Sequence, residues 1–191
     1  KLSHAVITSV DRDDLPDLGA AHWAQTIREI KRLNPETTTE VLIPDFQGRK
    51  ELIDQVIKAC PEIISHNMET VKRISPQVRS AANYHTSLEV IRQIAESGIT
   101  AKSGIMVGLG ETPAEVEELM DDLISVGCKI LTIGQYLQPT HKHFPVAAYI
   151  TPEQFAVYKE TGLKKGFEQM ESAPLVRSSY HAEKHIRFNN K

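Results

Sequence analysis

Short runs rich in Val, Ile and Thr alternate along the chain with longer stretches in which apolar residues recur every three or four positions. The short runs predict β-strands, because they are too short for stable helices, and the longer stretches predict amphipathic helices. We place the strands at His4–Val10, Thr38–Ile43, Ile63–His66, Thr100–Val107 and Lys129–Gly134. Strands that alternate with helices predict an α/β fold with a parallel sheet.

Capping signals mark the ends of the predicted helices. Residues suited to N-terminal capping boxes occur as Thr86 with Glu89, Thr112 with Glu115, and Thr151 with Gln154. Left-handed C-caps are predicted at Gly98, Gly127 and Gly162. Five strand–helix units are too few for an eight-fold barrel, so we expect a partial barrel with an element missing before the first strand. Weaker periodicity beyond Gly166 predicts a tail that is partly helical or frayed.

Composition places the chain among ordinary globular proteins, with 191 residues, 40% hydrophobic, 25% charged and a formal net charge of −3. No apolar run reaches the length of a membrane span, and no leader sequence is evident, so we expect a cytoplasmic protein without a membrane partner. No stripe of Lys and Arg indicates a nucleic-acid partner. The two cysteines, Cys60 and Cys128, are predicted to be buried free thiols.

Polar side chains follow each predicted strand, at the edge of a parallel sheet where ligands gather. They occur in the segments 8–14, 44–49, 66–70, 108–112 and 135–139. This concentration predicts a small-molecule site. Gly104 and Gly108 lie in or beside the fourth strand, where a glycine admits either a flat ligand or a closely packed neighbouring segment.

Six motifs, in order, resemble the lipoyl synthase family. They are VITSVDRDDL (6–15), EVLIPDFQGR (40–49), SHNMETV (65–71), GIMVGLGET (104–112), QYLQPT (135–140) and VRSSYHAE (176–183). The resemblance implies a partial parallel barrel of six βα units of the radical S-adenosylmethionine (SAM) type, with the first strand missing. It implies that residues 1–150 hold strands two to six of that barrel and residues 151–191 a C-terminal helix and the RSSY tail.

The family's chemistry is implied in the same way. One 4Fe–4S cluster reduces SAM, and the 5′-deoxyadenosyl radical removes hydrogen from C6 and C8 of an octanoyl chain. An auxiliary 4Fe–4S cluster donates two sulfur atoms. The implied partners are an octanoylated lipoyl carrier domain, from a dehydrogenase E2 or the glycine-cleavage H protein, and an electron donor. The radical chemistry belongs to the cofactors, so no catalytic side chain is assigned.

The resemblance also implies roles for individual residues. Thr8, Ser9 and Asp11 are expected at the amino group of SAM, since hydroxyl and carboxylate oxygens suit an ammonium. Asn67 and Glu69 are expected at its ribose or methionine polar atoms.

The remaining assignments concern the adenine and the auxiliary cluster. Gly104 through Gly108 are expected under the adenine ring, with Gln138 facing it. Ser179, within the RSSY segment 177–180, is expected to bind an iron of the auxiliary cluster. Without the family motif, two adjacent serines are more typical of a cap on a tail helix.

The chain departs from the family because it carries neither of the family's cysteine triplets, including CxxxCxxC. We therefore expect these residues alone to be inactive. Two alternatives remain open: a non-catalytic module that binds SAM or the carrier protein, and a barrel lyase that uses Lys102 as a Schiff base. The pairs His141 with His143 and His181 with His185 lack a third zinc ligand, and are expected to be solvated or in a substrate loop.

Overall fold

The computed structural model describes residues 2–79, 82–180 and 182. The strands are β1 (His4–Thr8), β2 (Thr38–Leu42), β3 (Ile63–Ser65), β4 (Thr100–Val107), β5 (Ile130–Gln135) and β6 (Gln169–Ser172). The helices are α1 (Ala20–Leu33), α2 (Lys50–Ile57), α3 (Ser75–Val78), α4 (Tyr84–Glu96), α5 (Pro113–Ser125) and α6 (Pro152–Lys165). A short 3₁₀ helix, Phe46–Gly48, follows β2.

All six strands are parallel and lie in chain order, with β1 at one edge of the sheet and β6 at the other. The α/β fold, the strand order and the edge position of β1 are confirmed. The expectation of five strands was wrong, because β6 adds a sixth strand in the tail that was predicted to be partly helical or frayed. Its sequence, QMES, contains one strongly apolar residue, Met170, and gives no strand signal.

The two faces of the sheet differ in polarity. Val41, Ile64, Ala101 and Leu131 belong to the main hydrophobic core. Because side chains alternate between faces, the intervening residues Glu40, Ser65 and Lys102 lie on the opposite, inner face. These polar residues are also buried, so the inner face is enclosed like the hydrophobic core but is lined here by polar side chains.

The predicted helix ends are confirmed in part. Thr112 forms the expected capping box with Glu115, and Thr151 accepts a hydrogen bond from the backbone of Gln154. Helix α4 instead begins earlier than predicted, because Asn83 caps it by accepting from two backbone N–H groups, so Thr86 lies within its first turn.

Two predictions about small residues need correction. Gly98 and Gly127 have the left-handed φ of a C-cap, but Gly162 lies inside α6 and Gly166 caps that helix. A β carbon on Gly162 would lie 2.0 Å from Sδ of Met170, so close packing requires this glycine. Cys128 is buried as expected, whereas Cys60 is exposed.

Candidate cofactor site

A cleft of about 560 Å³ opens where β1, β2 and β3 end. Its polar lining includes Ser9, Asp11, Asp13, Asp45, Asn67 and Glu69. We call this space the acidic cleft. Four of those residues are carboxylic acids, and Arg79 is the cation that joins them in the lining. A ligand that carries a net positive charge is therefore favoured here.

Glu69 is held in an unusual backbone conformation at the inner wall of the cleft. Its φ is 63°, in the left-handed region that a residue with a side chain rarely adopts. Two backbone hydrogen bonds keep it there, from its own N–H to the oxygen of Gly104 and from the N–H of Met106 to its oxygen. Such local strain is typical of binding sites, where the surrounding structure enforces it.

Glu69 and Asn67 are half-buried residues whose side chains contact each other. Burial raises the pKa of the Glu69 carboxyl, against the opposing effects of a hydrogen bond with Asn67 and the charge of Arg79. Oδ1 of Asn67 is buried and accepts no hydrogen bond from the described residues. A buried acceptor without a donor costs free energy, so this oxygen is suited to a donor from a ligand.

His66 forms the base of the cleft in a hydrogen-bonded chain. Nη1 of Arg79 donates to Oγ of Ser87 at 3.0 Å. Nε2 of His66 lies 2.9 Å from that hydroxyl, and its Nδ1 lies 3.0 Å from the oxygen of Ile43. Since a carbonyl only accepts, Nδ1 carries the proton and Nε2 accepts from Ser87. Burial lowers the pKa of His66 to about 4, so this ring is neutral and structural.

Four of the residues expected to contact SAM, among them Gly104, lie outside the acidic cleft. Thr8 lines a separate apolar groove beside β1. Gly108 is covered by Gln135 and Ala148, since a β carbon there would lie 2.2 and 2.4 Å from their atoms. Gln138 donates to the oxygen of His143 at 2.8 Å within its own loop. The expectation that Thr8 and Gly108 share one cleft with Asp11, Asn67 and Glu69 was therefore wrong.

A second, smaller cavity of about 110 Å³ lies on the inner face and shares Asn67 and Glu69 with the acidic cleft. Its lining also includes Gly104, Thr132, Gly134 and Ser178. We call it the inner cavity. A β carbon on Gly104 would lie 2.8 Å from both Asn67 and Thr132, so close packing accounts for this glycine.

The tail that carries the RSSY segment crosses the inner face and closes this cavity. The backbone of Gln135 donates to the oxygen of Pro174 at 3.2 Å. Nζ of Lys102 donates to the oxygen of Ser178 at 2.6 Å and to Oε1 of Glu40 at 2.7 Å. Ser179 is exposed, next to the half-buried Ser178. The rest of the VRSSYHAE motif includes His181 and Glu183, which lie outside the described residues, as does His185.

Sequence reasoning missed several of these residues. Asp45 was recognised only as part of a polar strand end, and Arg79 was not singled out because it follows the short helix α3, away from any strand. The pairing of Glu40 with Lys102 joins positions 62 residues apart. One indication of this pair was available from the sequence: Glu40 and Lys102 are charged residues inside two predicted strands.

Neither a metal site nor a membrane span is evident in the part of the chain that the structure describes. No group of three or more His, Cys, Asp or Glu residues there is arranged to hold a metal ion. None of the described helices is long and apolar enough to cross a membrane.

Comparison with known proteins decides the family. The sequence profile of the radical SAM superfamily matches residues 1–123. The chain belongs to the radical SAM superfamily.

Relatives within the radical SAM superfamily confirm the resemblance to lipoyl synthases. The chain is 99% identical over all of its 191 residues to a lipoyl synthase of Bacteroides fragilis. It is 57% identical over 187 residues, 97% of this chain and 64% of the relative, to a mitochondrial lipoyl synthase of Nematostella vectensis. The chain spans 66% of the length of the Bacteroides fragilis relative.

Solved structures of radical SAM proteins share the fold. A domain of pyruvate-formate lyase-activating enzyme from Bacteroides vulgatus superimposes with a TM-score of 0.64 at 14% identity, covering 87% of this chain and 98% of that one. Methylornithine synthase gives a TM-score of 0.68 at 10% identity, covering 92% and 59%. These likenesses concern the fold alone. Membership of the radical SAM superfamily implies SAM and an iron–sulfur cluster as cofactors.

Proposed function

We propose that this chain is the SAM-binding and tail-bearing part of a lipoyl synthase, which inserts two sulfur atoms at C6 and C8 of a protein-bound octanoyl chain. The observation that carries the proposal is the wall formed by Asn67 and Glu69. These two residues line the acidic cleft on one side and, on the other, the inner cavity closed by the RSSY tail. The proposed SAM site would then lie close to the tail residue Ser178, which precedes Ser179.

The acidic cleft fits SAM in charge and in hydrogen bonding. SAM carries an ammonium, a sulfonium and one carboxylate, so it has a net positive charge that the carboxylates of the cleft favour. Ser9 and Asp11 offer acceptors to the ammonium at the end of β1. The unpaired Oδ1 of Asn67 offers an acceptor to a ribose hydroxyl, and Glu69 lies beside it.

The chain's own residues bind, orient and shield. Bound SAM and its 4Fe–4S cluster supply the radical that removes hydrogen from the octanoyl chain. The left-handed backbone of Glu69 is fixed against β4 by two hydrogen bonds, and the neutral His66 lines the cleft without adding charge. The tail covers the inner cavity, which keeps water from the region between the two cavities.

Ser179 is proposed as a ligand of a second, auxiliary 4Fe–4S cluster. Its side chain is exposed, and it follows Ser178, which lines the inner cavity. An alkoxide oxygen matches cluster iron less well than a thiolate does. That iron would be the easiest to release when the cluster gives up sulfur.

The partners are proposed from the same resemblance. An octanoylated lipoyl carrier domain, of a dehydrogenase E2 or the H protein, would present its octanoyl group at the carboxyl ends of the strands. An electron donor would reduce the cluster. The lyase alternative is disfavoured, because Nζ of Lys102 is fully buried and bonded to Glu40 and to the backbone of Ser178. Schiff-base formation requires a lysine that a carbonyl substrate can reach.

The test uses the full-length Bacteroides fragilis lipoyl synthase as host, with its clusters assembled. We expect it to bind SAM and to convert an octanoylated H protein to the lipoyl form. Asn67→Ala should weaken SAM binding about tenfold, because one hydrogen bond in a dry site is lost. Isothermal titration with SAM measures this.

The matched control is Asn34→Ala. Asn34 ends α1 at the opposite end of the sheet, so its loss should leave SAM affinity unchanged. Equal affinity of the Asn67 variant and the unmodified enzyme would place SAM elsewhere. An enzyme that binds SAM but forms no lipoyl product would favour the non-catalytic binding module.

A further inference from the structure

A buried ion pair on the inner face grips the tail beside Ser179. Lys102 lies on β4 and Glu40 on β2, and both side chains are fully excluded from solvent. Nζ of Lys102 donates both to Oε1 of Glu40 and to the backbone oxygen of Ser178. Ser65, on the strand between them, donates its hydroxyl to the same carboxylate oxygen at 3.0 Å.

A buried ion pair of this kind is not explained by the stability of the sheet. Removing two charges from water costs several kcal/mol per ion, and replacing a buried pair by apolar residues of similar volume is often neutral or stabilising. The burial of Lys102 lowers its pKa, and the charge of Glu40 opposes that effect. The arrangement keeps a strong hydrogen-bond donor at one fixed point of a dry interior.

Beyond the hydrogen bond from Gln135 to the oxygen of Pro174, the tail contacts the inner face at two further places. At Gly134, the oxygen of Val176 occupies the space where a side chain would stand. At Lys102, the oxygen of Ser178 receives a charge-assisted hydrogen bond, a class roughly twice as strong as a neutral one. Between these contacts, Nη1 of Arg177 donates to the oxygen of Val176 at 2.8 Å, which is a contact within the tail itself.

Peptide geometry connects the second contact to Ser179. The carbonyl group of Ser178 and the N and Cα of Ser179 lie in one rigid plane. Holding the carbonyl oxygen therefore restricts how that plane can move. Relative to the plane, the position of the Ser179 hydroxyl depends only on the φ and χ1 angles of Ser179.

We propose that Lys102, held by Glu40, is a positioning residue that grips the Ser178 carbonyl and so directs the Ser179 hydroxyl toward the auxiliary cluster. This inference rests on the proposed function for the role of Ser179. The gripping of the tail is a property of the chain without any cluster. The two parts can therefore fail separately.

The first measurement is hydrogen–deuterium exchange of the tail in the full-length protein before clusters are assembled. In the double variant Lys102→Met with Glu40→Gln, side-chain volume is nearly kept, the donor is lost and no unpaired charge stays buried. We expect the amides of residues 176–180 to exchange at least about tenfold faster, because a charge-assisted bond that closes the tail is gone.

The matched control is Glu40→Gln alone. It keeps the amino group of Lys102 opposite the Ser178 carbonyl and keeps an acceptor oxygen for Lys102 and Ser65. Because the buried amino group loses its counter-charge, the whole protein should be less stable. Tail exchange is therefore compared with exchange of the core amides in the same variant, and relative to those it should stay within about threefold of the unmodified protein, since the hydrogen bond to Ser178 is retained. Unchanged exchange in the double variant would overturn the proposal. Equal acceleration in both variants would also overturn it, because the pair would then act through packing.

The second measurement uses the protein with both clusters assembled. The double variant should show an altered electron paramagnetic resonance signal for the auxiliary cluster and lose lipoyl formation, while 5′-deoxyadenosine is still produced. Glu40→Gln should retain both signals. If the tail loosens in the double variant alone but the auxiliary signal and lipoyl formation are unchanged, the grip on the tail stands, while the cluster role given to Ser179 and the directing role given to Lys102 are overturned.

Discussion

The backbone oxygen of Val176 lies against the α carbon of Gly134, so close that a β carbon on Gly134 would be 2.2 Å from it. Gly134→Ala should therefore push the tail off the inner face or displace β5. Overpacking of this kind costs about 1–3 kcal/mol of unfolding free energy. Denaturant unfolding measures the cost, and hydrogen exchange shows whether residues 176–180 loosen.

The control for this prediction is Gly98→Ala. Gly98 has a φ of +84° but no atom within 4 Å of an added β carbon. Its substitution should cost about 1 kcal/mol through backbone conformation alone and leave tail exchange unchanged. A Gly134 variant with no more effect on the tail than the Gly98 variant would show that the Val176 contact is easily relieved.

Stability should fall as the solution is acidified from about pH 6.5 toward pH 4, because of His66. Its folded pKa is lowered to about 4 from an ordinary 6.5, so in this window the unfolded chain binds a proton that the folded chain does not. Stability contributed by the neutral ring is complete above pH 6.5 and is lost as pH falls through the window. The loss is at most about 3 kcal/mol. Urea unfolding at several pH values measures it.

His66→Gln isolates that contribution, because it removes the titrating ring. The raised pKa of Glu69 acts in the opposite sense: its folded form holds a proton more tightly, so stability falls as pH rises. Subtracting the curve of the variant cancels that part, since both proteins keep Glu69. Parallel curves for the two proteins would mean that folding does not shift the pKa of His66.

Ser179→Ala, in the full-length enzyme, should leave the fold intact but reduce lipoyl formation by about 100-fold or more. Loss of an outer partner of a metal ligand already costs about 10–100-fold, and a ligand should cost at least as much. The exposed hydroxyl contributes little to packing, and SAM cleavage depends on the other cluster. Iron content, 5′-deoxyadenosine and lipoyl product are measured together.

Ser178→Ala is the matched control on the neighbouring residue. The tail is gripped through the main-chain oxygen of Ser178, which alanine retains. This variant should therefore keep lipoyl formation within about tenfold of the unmodified enzyme. The reverse order of severity would assign the iron ligand to Ser178.

Hydrophobic periodicity predicted β1 to β5 to within one or two residues, because most of them are short runs rich in β-branched residues. It failed for β6, a polar segment that forms a strand because it pairs with β5 and packs against α6. It also assigned Gly162 as a helix C-cap, whereas Gly162 lies inside α6 and packs against Met170. The contacts of β6 with β5 and of Gly162 with Met170 cannot be recognised from the local sequence, because β6 has no alternating hydrophobic pattern.

The site was predictable where its residues follow strands. Ser9, Asp11, Asn67 and Glu69 meet because the carboxyl ends of parallel strands share one edge. The left-handed backbone of Glu69 was not foreseeable, since it arises from bonds to β4. The hydrogen bond from Lys102 to Ser178 joins residues 76 apart, which no local sequence pattern can reveal.

The strand order, in which each strand pairs with the next along the chain, also bears on biosynthesis. Each strand pairs with the strand before it in the chain, and only one helical connection separates the two. The sheet can therefore grow one strand at a time as the chain leaves the ribosome. The tail is made after the sheet. We expect water to solvate Lys102 and Glu40 until the tail with Ser178 covers them. The ion pair would then form in contact with water and be covered by the tail afterwards, so that neither charge has to be buried without its partner.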